Sequence, residues 1–286
     1  MSDVIDSREA EATPTRDLVF TEADFTRLRQ MIGERAGIAL SERKREMAYS
    51  RLARRVRLAG QRRFADYLDP LEADPEHPEW EHFTNALTTN LTSFFREAHH
   101  FPLLAEHVAR RSGPISVWCC AASTGEEPWS IAITLAEALG QGAERAEIVA
   151  TDIDTRALAD ARAGIYPLAA VEKLSEERRK RFFLRGTGAR SGLARVAPAL
   201  RSRVHFAPLN LASNDWPVDG PFDAIFCRNL MIYFDKTTQQ RVLQRFAGLL
   251  KPDGLLFAGH SENFSYFENP FVLRGQTVYR LRGGVR

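Results

Sequence analysis

The sequence lacks what would tie it to a membrane, an oxidising compartment or a nucleic acid. No apolar run approaches the ~20 residues that a spanning helix needs. The N-terminal stretch MSDVIDSREAEATPTRD has no apolar core and mixes its charges. It reads as part of a disordered tail over residues 1–18, not as a signal peptide. There are three cysteines, Cys119, Cys120 and Cys227, two of them adjacent and all in strand-like apolar runs. That is neither a disulfide framework nor a metal-ligand spacing, so buried thiols in a reducing cytoplasm are expected, and no metal. The net charge of +2 is almost neutral and calls for neither nucleic acid nor direct membrane insertion. No internal repeat is visible.

What is present is the composition of a soluble protein, 44% hydrophobic and 27% charged over 286 residues, enough for more than one folding unit. Residues 19–89 read as an all-helical domain. Thr21 is an N-cap candidate with Asp24 in the capping-box position, and Phe25, Leu28 and Ile32 follow at helical spacing. A second helix runs through SERKREMAYSRLARRVRLAG, with Ser41 as cap and Gly60 as stop. After Gly113 the pattern changes. ISVWCC, EIVATDID, FDAIFCRNLMIYF and, after a Pro-Asp-Gly turn, GLLFAG read as strands alternating with helices. That alternation predicts an α/β, mostly parallel, Rossmann-like doubly wound sheet over residues 90–286, finished by an antiparallel hairpin at FVLRGQTVYRLR. The glycines at 186, 188 and 192 punctuate a stretch that breaks the alternation, read as a small antiparallel β insertion at about 178–206.

The chemistry centres on AASTGEEPWS, residues 121–130. A strand, a small-residue turn and a helix N-terminus make an anion site in this architecture. Glu126 and Glu127 would repel a pyrophosphate and suit an ammonium group. S-adenosyl-L-methionine carries both a carboxylate and an ammonium. The competing reading is that both glutamates only stabilise the first helical turn. Asp152 ends the second strand, where an acidic residue accepts ribose hydroxyls, while Asp154 is the better cap for the next helix. Arg228, Asn229 and Tyr233 are polar residues among apolar ones at the next strand end. His99 and His100 read as unremarkable helix residues.

Taken together, TTNLTSFFREAHHF, CCAASTGEEPWSIAI, TDID, FDAIFCRNLMIYFDKTTQ and LLKPDGLLFAGHSENF resemble the CheR family of chemotaxis receptor glutamate methyltransferases. The likeness runs from about residue 20 to 282. It implies a class I methyltransferase sheet and methyl transfer from S-adenosyl-L-methionine to glutamate side chains of chemoreceptor cytoplasmic helices, giving methyl esters and S-adenosyl-L-homocysteine. Matched by motif, it implies cofactor contacts at Asn90, Thr92, Arg96, Glu127, Asp152, Asn210, Leu211, Arg228 and Asn229. Arg96 and Tyr233 are the catalytic residues it implies, both acting by positioning. A glutamate carboxylate, with a reference pKa of ~4.3, needs no general base to act as nucleophile. Cys119 and Cys120 stand where small residues are expected, a departure expected to touch packing only.

From Ser41 to Arg63 there are nine basic residues and two acidic ones. On a helical wheel Ala48, Tyr49, Leu52, Ala53, Val56 and Ala59 share one face. Arg43, Lys44, Arg51, Arg54, Arg55, Arg57 and Arg62 take the other, a surface for an acidic partner. The resemblance makes that partner the receptor helix bundle. It makes Gly186, Gly188 and Gly192 part of a loop similar to that by which some members take a receptor's C-terminal tail by strand addition, the alternative being a purely structural insertion. Two other functions stay open on the residues alone: a nucleic-acid methyltransferase using the basic helix, and a non-catalytic S-adenosylmethionine-sensing adaptor. A monomer is expected.

Overall fold

The computed structural model describes residues 17–284. The helical domain holds α1 (Glu22–Ala36), α2 (Arg45–Leu58), α3 (Phe64–Ala73) and α4 (Glu79–Leu87). Helix α1 starts where the sequence says it should. Thr21 Oγ1 accepts from Asp24 N, and Asp24 Oδ2 accepts from Thr21 N, closing a capping box with an aspartate in the usual Glu/Gln place. Ser41 caps only a 3-10 turn, without a side-chain hydrogen bond, and α2 begins at Arg45. Ala48, Leu52, Ala53 and Val56 are buried in the domain core, while Ala59 is exposed. The expected tail boundary is corrected at its inner end. Leu18 is 5% exposed and part of this core, and Asp17 pairs with Arg57. Residues 1–16 lie outside the described residues.

Helix α5 (His100–Ala109) leads into the second domain. It runs β1 (Ile115–Cys119), α6 (Glu126–Leu139), β2 (Ala146–Asp152), α7 (Thr155–Ala163), β3 (Ile165–Pro167), α8 (Leu168–Val171), α9 (Glu176–Phe182), β4 (Phe183–Arg185) and β5 (Leu193–Val196). Then come α10 (Pro198–Arg201), β6 (Val204–Pro208), β7 (Phe222–Cys227), α11 (Lys236–Leu249), β8 (Leu250–Ala258), β9 (Phe271–Gly275) and β10 (Val278–Leu281). Seven strands form one sheet in the order β6-β2-β1-β7-β8-β10-β9. It is parallel from β6 to β8 and antiparallel at β10 and β9. The central β7 is buried at all six positions, as a strand covered on both faces must be.

Two boundaries differ from expectation. The small antiparallel sheet has the order β3-β5-β4 and spans residues 165–196, so it opens and closes earlier than 178–206. Val204–Pro208 instead pairs in parallel with β2 in the main sheet. Three residues ending in proline are too short to read as the strand β3. The Pro-Asp-Gly stretch is also not a turn before a strand. It lies within β8, where the register against β7 shifts between Phe222 and Ala224. Gly188 and Gly192 take positive φ in the β4–β5 connection, and a side chain at Gly186 would run into the Arg190 carbonyl.

Candidate active site

The parallel strands β1, β2 and β7 stop at one end of the sheet, and their following loops line a single cleft of about 180 Å³. The first loop is held on both sides. Cys120 N donates to Phe226 O on β7, and Ala122 N to Thr151 O on β2. Ser123 N donates to Asp152 Oδ2 at 2.7 Å, tying the turn to the end of β2. Gly125 then takes φ +102 and α6 begins.

The chemistry of the loop alone does not choose between Glu126 and Glu127, the resemblance favours Glu127, and the fold separates them. Glu126 accepts from Thr124 Oγ1 beside it and is not among the residues lining the cleft. Glu127 lines the cleft, is 8% exposed, and has its Oε2 at 2.6 Å from Arg228 Nη1. Burial pushes the Glu127 carboxyl up, and Arg228 opposes it. Arg228 Nη2 also lies 3.3 Å from Glu97 Oε2 and donates to the Arg96 carbonyl. Burial works against ionised Glu97 too, but hydrogen bonds from His260 and the charge of Arg228 outweigh it and hold the group at about 2. The core of the site is therefore one buried cation between two carboxylates. Cys119 Sγ donates to Glu127 Oε1 at 3.4 Å, so this cysteine does more than pack.

Asp154 is the N-cap of α7, accepting from Arg156 N and Ala157 N through Oδ1. Its Oδ2 accepts from Thr88 Oγ1 and Asn90 Nδ2, and Asn90 Oδ1 accepts from Ser123 Oγ. Asn90 thus braces the rim. Asp152 is left to face the cleft, and burial pushes it up to about 6. Asn210 donates to the Arg35 carbonyl at the end of α1 and accepts from Ala212 N. Arg96 Nη1 donates to the Leu91 carbonyl. Thr92, Arg96, Asn210, Leu211, Asn229 and Tyr233 all line the cleft with Asn90, Glu127, Asp152 and Arg228. Every candidate cofactor residue and both candidate catalytic residues thus face one cavity. Lys44 and Met47 line it as well, so the basic segment opens onto the site.

The docking set needs correction. Arg55 is not turned to solvent. Its guanidinium forks onto Glu79 of α4, whose Oε1 also accepts from Tyr67 Oη at 2.8 Å. Arg51 Nη1 donates to the Leu87 and Thr88 carbonyls and to Thr89 Oγ1, fastening α2 to the linker before the second domain. A two-faced wheel cannot see that α4 also packs on α2. Arg57 pairs with Asp17 at the surface. Arg43, Lys44, Arg54 and Arg62 are exposed and have no side-chain partner among the described residues.

Glu97 and His260 were not found from sequence, since nothing local marks a residue whose partners lie over a hundred positions away. His100 is not an unremarkable helix residue either. It is fully buried, its Nε2 lies near Gln276 O and Thr277 Oγ1, and burial, then Arg228, pushes it down to about 4. Glu97, His99 and His100 bring possible ligand atoms within 4.8 Å of one another. The Arg228 guanidinium against Glu97 opposes a metal ion there. Among the described residues the three thiols are free and buried, and no helix is long and apolar enough to cross a membrane.

The residues fit S-adenosylmethionine. A small-residue turn opens a helix N-terminus, a buried carboxylate–arginine pair lines the cleft where a zwitterion could be matched, and an acidic strand end stands where ribose hydroxyls could be accepted. Fold and site together define a doubly wound methyltransferase that uses S-adenosylmethionine. The comparisons then fix the family. Residues 90–280 match the model described as CheR methyltransferase, SAM binding domain, and residues 23–88 match CheR methyltransferase, all-alpha domain. The chain is 58% identical over 276 residues to the chemotaxis protein methyltransferase of Klebsiella aerogenes, covering 96% of this chain and 95% of that one. To the protein of the same name in Escherichia coli K12 it is 57% identical over 267 residues, 93% of each chain. To chemotaxis protein methyltransferase 2 of Pseudomonas aeruginosa it is 52% identical over 263 residues, 91% of this chain and 93% of that one. The chain belongs to the CheR methyltransferase family. Neither the nucleic-acid methyltransferase nor the adaptor reading finds support in these matches.

Proposed function

We propose that this protein methylates glutamate side chains on the cytoplasmic helices of chemoreceptors, in the adaptation of bacterial chemotaxis. The observation that carries this is the continuity of the basic segment with the cofactor cleft: Lys44 and Met47 line the cavity that Glu127, Asp152, Arg228 and Tyr233 also line. An acidic helix lying along α2 would bring its carboxylates to that opening. The family members named above are chemotaxis protein methyltransferases, which supports the same reading.

When bound, S-adenosylmethionine supplies an electrophilic methyl on a sulfonium. The chain's own work is binding, alignment and exclusion of water. Glu127 and Arg228 would hold the ammonium and carboxylate of the amino-acid end, Asp152 the ribose, and Asn210 and Leu211 the base. Asn90, Thr92, Arg96 and Asn229 would complete the cofactor contacts, and Arg96 and Tyr233 position the substrate carboxylate against the methyl. Aligning two bound reactants is worth ~7–11 kcal/mol, and no proton transfer is needed. The protein acts in the cytoplasm as a monomer, and a free edge of the β3-β5-β4 sheet accepts a receptor tail peptide by strand addition.

One assay tests the reaction. Methyl-labelled donor is offered with receptor cytoplasmic fragments or with RNA. Label on receptor fragments that base releases is expected; label on RNA, or none, overturns the proposal. For docking, Arg54→Glu is expected to raise KM for receptor fragments about tenfold while calorimetry shows unchanged product binding, since an exposed charge steers without packing. Arg55→Glu is expected instead to lower the melting temperature, because it sets two carboxylates against each other at Glu79.

A pH dependence follows from Asp152. Its carboxyl ionises at about 6 in the folded chain against 3.8 unfolded, so ionising it costs stability as pH rises through that window. Hydrogen bonds from ribose hydroxyls favour the ionised form. Affinity for S-adenosylhomocysteine should therefore weaken below about pH 6, by up to about tenfold per unit. A flat affinity between about pH 7.5 and 5 would remove Asp152 as the ribose acceptor.

A further inference from the structure

Glu262 belongs to none of the groups that face cofactor or substrate. It is 3% exposed, and its carboxylate collects four main-chain N–H groups. Oε1 accepts from Leu230 N at 2.9 Å and Met231 N at 2.7 Å. Oε2 accepts from Asn229 N at 2.9 Å and Gly259 N at 2.6 Å. Three of these donors follow the end of β7 and the fourth follows the end of β8. A neutral acceptor of one lone-pair set could not satisfy them, whereas an ionised carboxylate offers two oxygens and no donor.

The segment so held carries the cleft wall. Asn229 sits at φ +59, a left-handed conformation uncommon outside glycine. Gly259 packs so close that an added Cβ would lie 2.8 Å from Asn229 N. The next residues form a 3-10 turn, Met231–Tyr233, with Tyr233 N donating to Leu230 O at 3.0 Å. Tyr233 O in turn accepts from Ala39 N of the helical domain at 2.9 Å. Arg228, one residue before the held segment, is fixed separately by Glu127 and Glu97.

We propose that Glu262 is a further positioning residue for methyl transfer: it sets the Asn229–Tyr233 turn and through it the placement of Tyr233 at the cleft. This rests on the reading of Tyr233 as the residue that aligns the reactants. A small misplacement of an aligning group costs about 10²-fold.

The test compares Glu262→Gln and Glu262→Asp in the full chain, with melting temperature, product affinity and kcat read for each. Glutamine has the size of glutamate but turns two donors toward backbone N–H groups. Aspartate is shorter but keeps the acceptor-only charge. The proposal expects kcat to fall about 10²-fold in Glu262→Gln, well beyond any loss of product affinity through Asn229, and less in Glu262→Asp. On a Tyr233→Phe background the further loss from Glu262→Gln should largely vanish. A role in packing alone predicts the reverse order, Asp worse than Gln, and that order overturns the proposal, as does wild-type kcat in Glu262→Gln. If Tyr233→Phe is itself slow and Glu262→Gln costs as much on that background as on wild type, the route through Tyr233 is overturned. Wild-type kcat in Tyr233→Phe alone would remove the reading of Tyr233, and Glu262 would then stand or fall on the Gln–Asp order.

Discussion

Arg228→Met should lower methyl transfer on the order of 10²–10³-fold and destabilise the fold by about 3–5 kcal/mol. The guanidinium side chain is 1% exposed and neutralises Glu127 at 2.6 Å and Glu97 at 3.3 Å. Methionine fills much of the volume but leaves two carboxylates buried with no cation between them. Breaking a buried pair at one partner costs more than the pair contributes, because the other charge stays desolvated. The sign of the pH response identifies the cause. In the wild type, Glu97 has a folded value of about 2 against 4.5 unfolded, so its ionisation contributes stability present above 4.5 and lost as pH falls toward 2. Glu127 is already raised by burial, with Arg228 the main force against it. Without Arg228 it rises further, and its ionised form costs stability above its unfolded value. The variant should therefore recover part of its deficit in urea unfolding as pH is lowered from neutral toward the unfolded value of Glu127. A deficit constant over that range would mean that lost packing over Phe101, and not charge, is responsible.

The parts of this arrangement legible in sequence are those fixed by near neighbours. The Thr21–Asp24 box, the Asp154 cap that frees Asp152, and the alternation from Ile115 to Ala258 depend on residues within a few positions of each other. So does the cluster of candidate residues, because strand ends converge in a doubly wound sheet. What was illegible depends on partners far along the chain. Arg55 looks solvent-facing on a wheel until Glu79 arrives from α4. Glu97 gains its role only when Arg228 and His260 are folded onto it. The strand β6 read as part of the insertion because Val204-His205-Phe206 has strand character but nothing that names its partner; pairing with β2 is a tertiary fact.

The loop that first suggested a cofactor also carries the other large effect. Gly125 is the one glycine between Ala121 and Ser130. Its φ of +102 is a conformation that L side chains rarely adopt. A Cβ there would lie 2.6 Å from Tyr166 Oη, 2.8 Å from Ala161 Cβ and 2.9 Å from Ala161 Cα. Tyr166 cannot easily yield, since its hydroxyl donates to Thr124 O at 2.7 Å and its ring packs edge-on to Phe94. Ala161 belongs to α7, whose backbone would have to move. Gly125→Ala is thus expected to cost about 1–3 kcal/mol for the backbone and a further ~1–3 for overpacking. The strain relaxes by displacing Thr124 and the start of α6, so Glu127 leaves its alignment and product affinity should fall on the order of 10²-fold. Gly60→Ala separates the two contributions, because Gly60 has φ +74 with nothing within 4 Å of a Cβ. It should lose stability through backbone strain alone and keep product affinity. Calorimetry with S-adenosylhomocysteine on both variants decides the matter: wild-type affinity in Gly125→Ala would mean that the glycine serves the fold of the turn and not the placement of Glu127.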